Sequence, residues 1–137
     1  MYQSILLAAD GSDNSYRAAE ETLHFIGGDT EVTILNVVNP ENSKDEILHN
    51  RPGDGSTFNR KAKLSKIIAL YDENGVSYDV QFKQGSPAET VVDFANEGGY
   101  DVVILGSRGL NALQEMVLGS VSHKVAKRAH MPVMIVK

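Results

Sequence analysis

The sequence predicts a single α/β domain, a parallel sheet with helices on both faces. Three observations carry this. Short apolar runs alternate with segments of helical period in the order β-α-β-α-β-α-β-α-β. Several of those runs are apolar throughout, as strands buried on both faces are. The chain has 137 residues, enough for one domain with its own core, and no repeat, linker or low-complexity tract divides it.

The elements follow in order. Residues 4–9, "SILLAA", form the first strand, ended by Asp10-Gly11-Ser12. "NSYRAAEETLHFIGG" is the first helix. Ala18, Ala19, Leu23 and Ile26 stand near helical spacing, acids crowd its first half, and Gly27-Gly28 stop it. "EVTILNVV", 31–38, is rich in β-branched residues and reads as the second strand. Residues 39–57 are polar, with two prolines and two glycines, and read as a loop with a helical turn around "DEILH". The span 58–75 places Leu64, Ile67, Ile68 and Tyr71 on one helical face and ends at Gly75. "VSYDVQFKQG", 76–85, alternates. Val76, Tyr78, Val80 and Phe82 face one way and polar residues the other, as in a half-exposed strand at a sheet edge. The third helix opens with Ser86 as N-cap, Pro87 in the first helical position and Glu89 completing a capping box, and closes at Gly98-Gly99. "YDVVILG", 100–106, is a fourth strand with a continuous apolar run. "GSVSHKVAKRA" reads as the last helix, with Lys127 and Arg128 in its last turn, and "MPVMIVK" as the last strand.

Composition narrows the function. A formal net charge of −5 argues against general binding of nucleic acid or anionic membranes. It leaves room for a local anion site built from backbone N–H groups. There is no cysteine, hence no disulfide framework and no thiol chemistry, which fits a cytoplasmic protein. No long apolar run predicts a membrane span, and "MYQSILLAADGS" reads as the start of the fold rather than a signal peptide.

In open α/β sheets ligands bind beyond the carboxyl ends of the strands, where strand order reverses. Asp10-Gly11-Ser12, Asn36-Val37-Val38-Asn39 and Gly106-Ser107-Arg108-Gly109 fall at such ends. Gly119-Ser120-Val121-Ser122 opens the last helix, whose first N–H groups and dipole suit a phosphate. Each feature has two readings. Gly106 and Gly109 make a tight turn, or they admit a ligand close to the backbone. Ser120 is an N-cap, or its hydroxyl, with that of Ser122, donates to an anion. Asp10 caps the first helix or orders its own turn; alternatively it accepts bonds from an adenine amine or ribose hydroxyl, or helps to hold Mg²⁺. Arg108 contacts phosphate or is solvated. Neither a Walker A loop nor a dinucleotide fingerprint is present. His24, His49, His123 and His130 lack metal-site spacing, and no Gly-x-Ser-x-Gly elbow supports a nucleophilic serine.

Gly106-x2-Gly109-x9-Gly119-Ser120 resembles the ATP-binding signature G-x2-G-x9-G-S/T of the universal stress protein family. The resemblance extends over nearly the whole chain: "ILLAADGSDNS", "TILNVV", "GSPAETVVDFANEGGYDVVILGSRG" and "LGSVSHKVAKRAHMPVMIVK" match in order and spacing. It implies a Rossmann-like five-stranded parallel sheet in the order 3-2-1-4-5. It places Asp10 and the Val37 backbone at the adenine and ribose, with Ala8 under the nucleotide. Gly106, Ser107, Arg108, Gly109, Leu110 and Asn111 would line the ribose and phosphates. Gly119 would stand at the phosphates, and Ser120, Val121 and Ser122 would donate to them. The family commonly forms homodimers through its last strand, here "PVMIV" at 132–136, an apolar edge that physics says must be covered or paired. Where many relatives carry His or Pro-containing variants, this chain has Ala8-Ala9 and Asn36, which alters adenine packing.

The leading expectation is a cytoplasmic ATP-binding sensor or regulator in the stress response, working by population shift through a protein partner. ATP is the expected ligand, with ADP or AMP in its place as alternatives and Mg²⁺ as a phosphate companion. A second reading is a slow ATPase or self-phosphorylating enzyme modified at Ser120 or Ser122, for which no general base beyond Asp10 presents itself. A third is a nucleotide-independent dimeric interaction module.

Overall fold

The sheet is built around its central strand, β1 (Ser4–Ala8). β2 (Glu31–Val38) and β4 (Val102–Gly106) flank it, β3 (Ser77–Gln84) lies outside β2, and β5 (Val133–Val136) lies outside β4. The order is β3-β2-β1-β4-β5, as the family resemblance implied, and every pair is parallel, as the alternation of elements predicted. The computed structural model describes residues 2–38, 62–107 and 119–137. The helical turn expected at "DEILH", the expected helix start at 58–61, and Arg108, Gly109, Leu110 and Asn111 lie outside those residues.

Helices cover both faces. Ile5 and Leu7 of β1 pack with Ala18 and Ala19 of α1 (Asp13–Thr22) and with Ile67 and Tyr71 of α2 (Ser65–Glu73). Leu6 points the other way, into a cluster with Val91, Val92 and Ala95 of α3 (Pro87–Gly98) and Val125 of α4 (Ser120–Arg128). Ile5, Leu6 and Leu7 are fully buried, each contributing about 1.5–3 kcal/mol. β3 keeps the alternation of an edge strand, with Tyr78, Val80 and Phe82 half-buried and Ser77, Asp79 and Lys83 exposed.

Helix ends differ in detail from the expectation. α1 stops at Thr22, and a 3-10 turn (Leu23–Phe25) follows before Ile26 turns extended. The Gly27 N–H is then held by the Thr30 hydroxyl, which itself donates to the Tyr2 carbonyl. The capping box at Ser86 does not form. Ser86 is the N-cap of α3, but its side chain makes no capping bond. Gly99 ends α3 in the left-handed region, φ 69°, where only glycine is unstrained. α4 ends at Arg128, so His130 lies beyond it, its N–H bonded to the Asn96 side chain.

Two polar ties fix the layers. The Asp101 carboxylate accepts the N–H groups of Gln3 and Ser4 at 2.9 and 3.0 Å, locking the start of β1 to the start of β4. The buried Tyr71 hydroxyl donates to the Ala19 carbonyl at 3.2 Å, tying α2 to α1. Burial pushes the Tyr71 phenol well above its ordinary value, and a bond with Thr22 partly offsets this.

Candidate functional site

β1 and β4 are neighbours, while the chain winds to β2 and β3 on one side and to β5 on the other. Their carboxyl ends therefore form the switch point at which open α/β sheets bind ligands. The helices that start there are α1 and α4, and their N-termini are built differently.

The β1 end is a locked turn. Asp10 Oδ1 accepts the Ser12 N–H at 2.9 Å, so Asp10 orders its own turn and does not cap the helix. Ser12 is the N-cap of α1: its hydroxyl accepts the Ser15 N–H at 3.1 Å, and the Ser15 hydroxyl donates to the Ser12 carbonyl at 2.9 Å. Gly11 has φ 87°, and a Cβ there would come within 3.1 Å of the Lys63 carbonyl oxygen, so the turn admits only glycine. Ala9 continues β1 by one bond, its N–H donating to Leu35 O at 2.9 Å, and its carbonyl takes the Asn36 side chain at 2.8 Å.

The β4 end meets α4 directly. The Ser107 N–H donates to the Val136 carbonyl of β5 at 2.8 Å. The Ser107 carbonyl accepts the Gly119 N–H at 2.7 Å and the Ser122 hydroxyl at 3.1 Å. Both main-chain groups of Ser107 are thus engaged, and the two ends of the segment between Ser107 and Gly119 are drawn together. α4 begins with Gly119 as N-cap and no side-chain cap. Its first internal bond is His123 N–H to Gly119 O, at 3.0 Å. The N–H groups of Ser120, Val121 and Ser122 precede that bond and have no intrahelical acceptor. Lys127 and Arg128 in the last turn complement the dipole.

The predicted site residues sort clearly. Ala8, Val37 and Val121 all pack at the rim of the one cluster beneath α3 and α4, so they share a face of the sheet. Asp10 stands at the end of β1 and Ser120 is exposed at the start of α4. One expectation is corrected, and another residue gains a structural role. The Ser122 hydroxyl does not face outward. Ser122 is 2% exposed and its hydroxyl donates to Ser107 O and Gly119 O, leaving only its N–H for a ligand. The bareness of Gly106 serves helix packing. A Cβ there would stand 2.8 Å from the Asn14 carbonyl carbon and Cβ and 2.9 Å from its oxygen, so α1 occupies that space. The sequence marks Asn36 as part of a strand-end stretch and as a family departure, but not as a residue with a partner of its own. The signal was an amide inside a buried, otherwise apolar strand, which needs a specific partner.

Elsewhere, a groove of about 270 Å³ runs between α3 and α4, lined by Ala88, Glu89, Val92, Asp93, Lys124 and Arg128. None of the expected site residues lines it. Among the described residues no cluster of three or more His, Cys, Asp or Glu is placed to hold a metal, and no helix is long and apolar enough to cross a membrane.

Comparison with known proteins agrees with this architecture. The model of the universal stress protein family matches residues 1–137. The universal stress protein YxiE of Bacillus subtilis is 32% identical, over 100% of both chains. The solved structure of protein MJ0577, from Methanocaldococcus jannaschii, is 30% identical, with a TM-score of 0.84 over 100% of this chain and 96% of that one. A universal stress protein solved in complex with cAMP is 25% identical, with a TM-score of 0.70 over 98% and 96%. An AMP-bound family protein from Arabidopsis thaliana shares the fold, at 24% identity and a TM-score of 0.68 over 98% and 91%. This chain belongs to the universal stress protein family.

Proposed function

We propose that this universal stress protein binds ATP at the β1–β4 switch point and acts in the cytoplasm as a nucleotide-dependent sensor or regulator. The observation that carries the reading is the uncapped N-terminus of α4, held against the end of β4 by the Ser107 carbonyl. Its three donors, from Ser120, Val121 and Ser122, suit the phosphates, and the dipole adds partial positive charge in a chain of net negative charge. Asp10 and the Val37 backbone take the adenine and ribose end, with Ala8 beneath. Arg108, Gly109, Leu110 and Asn111 complete the wall by the family signature. ADP and AMP fit the same frame, and Mg²⁺ would accompany the phosphates without a ligand cage of its own. The cAMP and AMP complexes of relatives support an adenine nucleotide as the ligand class. The four apolar residues of β5 form an open edge, and we assign homodimerisation to the strand at 132–136.

One substitution tests the phosphate end without disturbing the fold. Ser120 is the first residue of α4, where proline is well tolerated, and Gly119 before it is extended, φ −60° and ψ 151°, as a residue preceding proline must be. Ser120→Pro removes one N–H and one hydroxyl at that spot. Unfolding stability should stay within about 0.5 kcal/mol of wild type. ATP affinity, measured by calorimetry on nucleotide-stripped protein, should fall at least about tenfold. Unchanged affinity would move the phosphates away from α4, and absence of ATP binding by folded wild type would leave the dimeric interaction module as the reading.

A further inference from the structure

Asn36 occupies a place in β2 between Leu35 and Val37 and is only 6% exposed. A buried amide needs a partner. Its Nδ2 donates to the Ala9 carbonyl at 2.8 Å, 27 residues away in the chain. Ala9 lies one residue past β1, and its N–H donates to Leu35 O. Both main-chain groups of Ala9 are therefore held by β2, one by the strand backbone and one by a side chain. β4 takes no part, since its register with β1 ends at Ala8 and Leu105. The Ala9 carbonyl shares a rigid peptide plane with the Asp10 N–H. Holding that carbonyl fixes the plane from which the Asp10 turn departs, before Gly11 swings the chain into α1.

We infer that Asn36 is a positioning residue whose side-chain amide holds the Ala9–Asp10 peptide and so sets where the Asp10 carboxylate meets the nucleotide. The inference rests on the nucleotide reading above. Ser12 and Ser15 stabilise the same turn through bonds within three residues of each other, inside the start of α1. Asn36 ties the turn to the sheet.

A purely structural clamp and a positioning residue differ in one measurable way. If Asn36 acts on the nucleotide through Asp10, their effects on ATP affinity do not add. The experiment is a double-mutant cycle on the full chain, with ATP binding read by calorimetry on wild type, Asn36→Leu, Asp10→Ala and the double variant. Thermal unfolding is run beside each. Leucine keeps the bulk of Asn36 and removes the donor; should that variant fail to fold, Asn36→Ala takes its place in the cycle. Asn36→Leu should weaken ATP binding about tenfold, and the double variant should bind no more weakly than Asp10→Ala alone. Losses that add overturn the inference, as does unchanged affinity in Asn36→Leu or normal binding by Asp10→Ala. A folded wild type that binds no ATP removes the nucleotide reading and this inference with it. Additive losses in a wild type that binds remove the inference alone.

Discussion

Gly106→Ala is the perturbation that separates packing from ligand approach at the first glycine of the signature. The added methyl would lie 2.8 Å from two Asn14 atoms and 2.9 Å from a third, and two of the three are main chain. Such contacts are shorter than folded proteins tolerate, and the helix backbone cannot swing aside as a flexible side chain can. α1 must shift against β4. Overpacking of this size costs about 1–3 kcal/mol. Replacing a strand glycine returns about 0.5–1 kcal/mol by reducing unfolded-state freedom. The net expectation is a loss of about 1–2 kcal/mol, or roughly 3–8 °C in Tm for a domain of this size. Urea unfolding followed by circular dichroism reads it as a lower midpoint at unchanged slope. Gly28→Ala is the control: nothing lies within 4 Å of its added methyl, and its stability should match wild type within about 0.5 kcal/mol. Asn14 is in the first turn of α1, two residues past Ser12, so the shift also reaches the Asp10 turn and ATP binding falls with stability. If Gly106→Ala is as stable as the control, α1 does not need the bare position and the packing argument fails. If affinity alone collapses, the glycine faces the ligand.

The remaining predictions concern two buried hydroxyls. Ser122→Ala removes the bonds to Ser107 O and Gly119 O and should cost about 1 kcal/mol in urea unfolding, with ATP affinity within about threefold of wild type. A large affinity loss at unchanged stability would return that hydroxyl to the phosphates. Tyr71 has a folded pKa raised by burial above the unfolded value of about 10, so its neutral form supports the fold fully below about pH 10 and that support declines as pH rises further. Urea midpoints taken from about pH 8 to about pH 11 should fall more steeply in wild type than in Tyr71→Phe, and parallel curves would refute the assignment.

Most of the fold was legible because its signals are local. β1 carries the unbroken apolar run Ile5–Ala8 and β4 is apolar throughout since both faces are covered, and β3 alternates since one face is open at the edge. Gly99 marked a helix end because the left-handed region selects glycine. What was not legible depends on distant partners. Gly106 is visible as a glycine, but the helix that needs it bare meets it at Asn14, far away in the sequence. Asn36 is visible as an anomaly, but not its acceptor on Ala9. The missing capping box at Ser86 has a subtler reason. Asp10, Ser12 and Ser86 all have capping side chains, and the spacing at Ser86 even completes a box. Which hydroxyl bonds depends on how the turn enters the helix. The positive φ at Gly11 aims Ser12 at Ser15, whereas the Ser86 side chain is left without a capping bond.

The two helices at the switch point differ in a way that favours α4 over α1 for the proposed phosphate site. α1 is closed at its start: Ser12 takes the Ser15 N–H and Asp10 takes the Ser12 N–H. A side-chain cap of that kind is worth about 1 kcal/mol to a helix, and its oxygen lies where an anion would sit. α4 has Gly119 in the same position, which supplies no side-chain acceptor to the first donors. The buried hydroxyl of its first turn, that of Ser122, turns inward to hold Ser107 instead of capping outward. A helix optimised for stability alone would carry Ser, Asp or Asn at 119. Local rules are broken where a site needs the groups they would fill. Gly119 is that break, and the proposed anion site would be made of backbone alone, in a chain whose net charge would otherwise repel phosphate.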